Sequence, residues 1–176
     1  MLFAFFVLLL FLQGIASRQL ERTVVKSRTI VGVFAVLRQL ILGGAVNLGN
    51  ITIHALVTVL LVRARPVIEA KLRSSPTLQL MFVMIAVVST LMAAHLFEMT
   101  IWALIYALVG IAPEGSDYFY FAFVNYTTLG YGDVVPVERW HLLGPMTAMN
   151  GVLLFGWSTA IIVQALWINL RSFREN

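Results

Sequence analysis

Thr127-Thr128-Leu129-Gly130-Tyr131-Gly132-Asp133 is a short polar stretch punctuated by glycine, lying between two long apolar runs. The segment just before it, Tyr118 to Tyr126, is rich in aromatic residues. Irregular backbone at membrane depth is tolerated only where protein covers it or where it lines a watery path. Glycine at positions 130 and 132 permits positive φ, which lets successive carbonyls point the same way. A ring of such loops would offer carbonyl oxygens in place of the hydration shell of a cation.

The rest of the chain supports a membrane setting. Of 176 residues, 60% are hydrophobic and 11% charged, with a mean hydropathy of +0.91. Soluble domains carry about 25% charged residues. With no cysteine there is no disulfide framework and no thiolate chemistry. The net charge of +4 does not read as nucleic-acid binding, because the basic residues fall between hydrophobic runs, where they set topology.

A crossing needs about 20 apolar residues. Residues 78–111 and 142–170 meet that length, and 43–62 forms a further candidate that stops at Arg63-Ala64-Arg65-Pro66. Residues 1–17 are apolar but short. They read as a retained helix, or as a signal-like segment with Gly14-Ile15-Ala16 at its end. Residues 18–42 form a basic amphipathic segment that would lie in the membrane interface. A crossing over 30–46, a turn at Asn47-Leu48-Gly49-Asn50 and a short return is the alternative. Residues 63–76 read as a linker and 77–176 as one functional domain.

Lysine and arginine placement sets orientation. The linker carries Arg63, Arg65, Lys71 and Arg73 against Glu69, and the tail carries Arg171 and Arg174. Both are expected on the cytoplasmic side of the cell (inner) membrane, in a multi-pass protein with a cytoplasmic C-terminus. Residues 112–140 then face outward, with Glu114, Asp117, Asp133 and Glu138 against Arg139. Such an acidic mouth would concentrate cations. Within this segment, Gly115-Ser116-Asp117 supplies start signals for a short re-entrant helix over 117–126.

At the polar stretch the sequence resembles the potassium-channel pore-domain family, whose filter reads Thr-Val-Gly-Tyr-Gly-Asp. That filter is the standing example of carbonyl coordination of K+. The resemblance covers roughly residues 79–170. It implies an all-α membrane protein: outer helix, re-entrant pore helix, selectivity filter and inner helix, repeated around a central axis as a homotetramer, here with extra N-terminal helices. It implies passive, potassium-selective conduction, with the carbonyls of Thr128, Leu129, Gly130 and Tyr131 and the Thr128 hydroxyl as ion ligands. Thr127, Gly132, Asp133, Tyr120 and Tyr126 would support the filter, and Tyr131 would point into the aromatic cuff. Leu129 stands where the family has valine; distortion there would give a weakly selective cation channel. Val124 stands where some members carry a glutamate, so no acid pairs with Asp133 from that position. Gly151-Val152-Leu153-Leu154-Phe155-Gly156 resembles the inner-helix pattern of glycine, three residues, phenylalanine, glycine. Gly151 is then a gating hinge or a packing site against the pore helix, Gly156 its companion, and Asn150 faces the cavity or makes an interhelical hydrogen bond.

His54, His95 and Glu98 are ionisable residues inside expected spans, where such groups suggest function. His95 and Glu98 are three apart and share a helix face. With His54 they would form a structural polar clasp or a pH-sensing cluster; a membrane metalloprotein is the remote alternative. Ser158 and Thr159 would line the lower cavity or bond back to their own helix. No nucleophile or His-Glu-x-x-His motif is present, so no enzyme is expected, nor any cofactor beyond K+ as permeant ion. The bilayer and further copies of the chain are the expected partners; neither nucleic acid nor a soluble ligand domain is expected.

Overall fold

The computed structural model describes residues 32–64, 66 and 76–174, so the expectations for residues 1–31 and most of the linker lie outside the described residues. The chain divides into two units, Met1–Gln39 and Leu40–Asn176. Of the first, only a helical stretch over residues 32–39 is described, with Gln39 Nε2 donating to the Ala35 carbonyl.

That helix, α1, runs over Gly32–Ala64. It is followed by α2 (Pro76–Val109), α3 (Tyr118–Tyr126), a 3-10 turn (Glu138–Trp140) and α4 (Leu143–Arg174). Among the described residues no strand pairs with another to form a sheet. Helices α1, α2 and α4 are each long and apolar enough to cross a membrane. At about 1.5 Å per residue, each exceeds the roughly 30 Å hydrocarbon core.

Two expectations for α1 need correction. The helix already includes residues 32–42, ahead of the expected start at Gly43, and it continues without a turn through Asn47-Leu48-Gly49-Asn50. Asn47 and Asn50 look like turn formers in sequence, but here they are 7% and 0% exposed. Asn50 Nδ2 donates to Asn150 Oδ1 and to the Glu98 carbonyl, and these bonds to other helices override the local turn preference and the cost of about 1 kcal/mol for glycine in a helix.

Helix α2 opens on proline, which suits the first helical position because its missing N–H has no intrahelical partner there. It closes in a Schellman motif: Gly110 has φ of +61°, its N–H donates to the Ala107 carbonyl, and the Ile111 N–H donates to the Tyr106 carbonyl. Helix α3 begins where Asp117 accepts from the backbone N–H groups of Phe119 and Tyr120 at 2.9 and 3.0 Å.

The main core lies where α3 is wedged between α2 and α4. Trp102, Tyr106, Ile111, Phe121, Ala122, Tyr126 and Leu143 are its centre, and Val46 joins from α1. A second cluster, Val83, Val87 and Leu91 with Ile161 and Ala165, closes the other end of the α2–α4 contact. Elsewhere α1 and α2 present exposed leucine, isoleucine, valine and phenylalanine side chains. Such surfaces are costly in water and at home in lipid.

Candidate functional site

Helix α3 ends at Thr127, whose N–H and hydroxyl both donate to the Phe123 carbonyl, at 3.0 and 2.8 Å. Two further bonds, Thr128 N–H to Asn125 O and Leu129 N–H to Val124 O, both 3.0 Å, close the helix in a Schellman motif with Thr128 at the left-handed position. Beyond them the backbone alternates. Thr128, Gly130 and Gly132 have φ of +61°, +57° and +78°; neither Leu129 nor Tyr131 is in the left-handed region. Positive φ at every second residue is the backbone pattern that permits successive peptide planes to align along one edge of such a strand. For glycine this costs nothing steric, whereas for a β-branched threonine the left-handed region is an outlier. Thr128 therefore stores strain, of order 1–3 kcal/mol, at the position expected to contribute two ion ligands.

Residues 128–133 are all exposed on the single chain, and Tyr131 is 67% exposed. Within one chain, then, Tyr131 is not taken up by the aromatic cuff of α3. Part of that cuff is itself uncovered, with Phe119, Tyr120 and Phe123 each more than a third exposed. Asp133 accepts a 2.8 Å hydrogen bond from the Tyr120 hydroxyl. Val124 is buried, as an apolar residue facing the core should be.

Behind the strand lies a polar seam. Tyr106 Oη and Thr147 Oγ1 are 2.7 Å apart, and Asn125 Nδ2 donates to Tyr106 Oη at 3.3 Å. Asn150 does not face a cavity. It is fully buried, and its Oδ1 accepts from Asn50 Nδ2 at 2.8 Å and Trp102 Nε1 at 3.0 Å. An amide in an apolar interior must find a partner, and here α1 and α2 supply the donors. The seam is not fully satisfied: Asn47 Oδ1, Asn50 Oδ1 and Asn150 Nδ2 are buried without a partner. Gly151 sits directly against α3. A Cβ there would overlap the Tyr126 carbonyl oxygen and come within 2.9 Å of its carbon. Gly156, by contrast, has open space around it.

His54, His95 and Glu98 come together, all buried. Glu98 Oε1 meets His54 Nδ1 at 2.9 Å, and Glu98 Oε2 meets His95 Nδ1 at 3.2 Å. The Tyr126 hydroxyl donates to Glu98 Oε2 at 2.6 Å and lies 2.9 Å from His95 Nδ1. Ser158 Oγ lies 2.9 Å from His95 Nε2 and 3.1 Å from His54 Nε2. Ser158 is thus neither a cavity residue nor bonded to its own helix; Thr159 does bond back, to the Phe155 carbonyl at 2.9 Å. All four imidazole nitrogens and both carboxylate oxygens are engaged within the group. Sequence reasoning missed Asn50, Trp102 and the joining role of Ser158. A signal was available for Asn50: Asn47, Asn50 and His54 fall on one face of an otherwise apolar helix.

The architecture is therefore a multi-pass membrane domain with a short helix and an alternating strand set between two long helices. Neither a curated protein nor a solved structure matches the chain. A family model described as "Ion channel" matches residues 80–168, just over half of the chain and the stretch that holds α3, the strand and most of α2 and α4. The chain belongs to this ion-channel family, of the two-transmembrane pore-domain type.

Proposed function

We propose that the chain forms a homotetrameric, potassium-selective channel in the cell membrane, with its C-terminus in the cytoplasm. The observation that carries this reading is the alternating backbone of Thr128, Gly130 and Gly132. Such a strand presents carbonyls along one edge, and a dehydrated cation needs oxygens on all sides, which one strand cannot supply. Symmetry supplies the rest. The exposed face formed by Phe119, Tyr120, Phe123, Leu129 and Tyr131 suits contact with a neighbouring copy. The ligands are the carbonyls of Thr128, Leu129, Gly130 and Tyr131 with the Thr128 hydroxyl. Ions move in file, each displacing the next, with binding weak enough at every station to allow exit. Substituting leucine for the family's valine leaves the coordinating carbonyl in place.

The test is rubidium against sodium uptake by liposomes holding the purified chain, alongside Gly130→Ala. Rubidium uptake is expected to exceed sodium uptake strongly, and Gly130→Ala to abolish it, because alanine is strained at φ of +57°. Equal uptake of both ions would favour a weakly selective cation pore. A chain that stays monomeric in the membrane on cross-linking would overturn the proposal.

A further inference from the structure

The contacts among Glu98, His54, Ser158 and His95 close into a ring. Glu98 Oε1 joins His54 Nδ1, His54 Nε2 joins Ser158 Oγ, Ser158 Oγ joins His95 Nε2, and His95 Nδ1 returns to Glu98 Oε2. A closed ring fixes how many protons it must hold. An ionised carboxylate only accepts, so both Nδ1 atoms carry hydrogen and donate to it. Both Nε2 atoms then face one serine hydroxyl, which has a single hydrogen and satisfies one of them. The other contact becomes a hydrogen bond only when that Nε2 also carries hydrogen, which makes its imidazole an imidazolium. The same number of protons serves if Glu98 is protonated instead: it donates to one Nδ1, that imidazole donates from Nε2 to Ser158, and Ser158 donates to the second Nε2. Proton number is therefore set by the ring as a whole, and the charge in either arrangement sums to zero. With one proton fewer, two lone pairs oppose each other across Ser158 and a buried group is left with a net negative charge, which an apolar interior strongly disfavours.

The titratable groups that meet here are His54 from α1, His95 and Glu98 from α2, and Tyr126 from α3. From α4 come the uncharged Ser158 and the rings of Phe155 and Trp157, against His95 and His54 respectively. Tyr126 ties the ring to the strand in two ways. Its hydroxyl donates to Glu98, and its own carbonyl, just before the double threonine, abuts Gly151 of α4. A shift of α4 at Ser158 therefore reaches the base of the strand.

We propose that the Glu98–His54–Ser158–His95 ring is a proton-binding site, in which a third proton locks α1, α2 and α4 together and holds the strand in its conducting form through Tyr126. Its coupling to conduction rests on the potassium-channel reading; proton binding by the ring does not. The experiment uses the full chain in liposomes, labelled with ¹⁵N-histidine, and records nitrogen spectra and rubidium uptake over a range from about pH 5 to about pH 8. The signals of His54 and His95 are expected to move together in one step, with uptake falling several-fold over that step as the proton leaves. Ser158→Ala, which opens the ring while keeping its volume nearly unchanged, should make the two histidines titrate separately. His54→Asn, which keeps a donor toward Glu98 but cannot titrate, should remove the step in uptake. Histidines that titrate independently in the unmodified chain, or that never share an imidazolium, would overturn the proton site. Uptake that stays level through the spectral step would overturn its coupling. Should no ion pass at any pH, the channel reading fails while the spectra still decide the ring.

Discussion

The Tyr120 hydroxyl donates a 2.8 Å hydrogen bond to Asp133 Oδ2, tying the first turn of α3 to the residue that follows the last glycine of the strand. Both partners are exposed on the single chain, so the bond adds little to folding. Its effect is on the outer end of the strand. The Asp133 carboxylate, chiefly through this hydrogen bond, holds the Tyr120 phenol above its ordinary value of 10.0. A folded-state value above the unfolded one means that the contribution is complete below the unfolded value and is lost as pH rises through the folded one. Rubidium uptake should therefore show an additional fall in an alkaline step, separate from the fall expected at the buried ring below about pH 8. Tyr120→Phe should give lower uptake without that step. An unchanged alkaline step in the variant counts against the bond having any role.

Gly151 and Gly156 should respond in opposite ways to alanine. At Gly151 the new methyl meets backbone of Tyr126, which cannot swing aside, and a loss of about 1–3 kcal/mol or more is expected from overpacking. At Gly156 the space is open, and alanine should gain about 1 kcal/mol of helix propensity. Thermal unfolding of the two variants in the same detergent measures the contrast.

Thr128→Gly should separate stability from selectivity. Glycine accepts φ of +61° freely, so the fold should gain about 1–2 kcal/mol. The hydroxyl expected at the inner end of the strand is lost, so preference for rubidium over sodium should drop. A variant that is both less stable and fully selective would contradict the strain and the ligand assignment together.

Asn150→Leu should destabilise the protein by about 2–4 kcal/mol, because it leaves Asn50 Nδ2 and Trp102 Nε1 as buried donors without their shared acceptor. Denaturation with intrinsic fluorescence as one probe checks this. A variant of normal stability but altered conductance would instead return Asn150 to the water-filled side of α4.

Much of this arrangement is legible in the sequence, for local reasons. The two flanking spans follow from apolar length, α3 from its Asp117 cap and dense aromatics, and the strand from its glycine spacing. What eluded sequence reasoning depends on which way a side chain faces. A mid-span amide such as Asn150 reads the same whether it points to water or to a partner, and its donors lie 48 and 100 residues away. Ser158 has the same ambiguity, being able to bond to its own helix or across to another. The Asn47–Asn50 stretch carries strong local turn signals, and only the helices packed against it reverse them. Thr128 could not be assigned a left-handed backbone from residue type, since threonine avoids that region unless its surroundings impose it.

The family match begins at residue 80, yet α1 lies wholly before it and still supplies Asn50 and His54 to the buried seam. A protein trimmed at the family border would leave Glu98 short of one of its donors and Asn150 short of another, inside hydrocarbon. The stretch that the family model covers is thus shorter than the stretch whose buried polar groups partner one another, and any transplant of this pore into another scaffold must carry its upstream helix along.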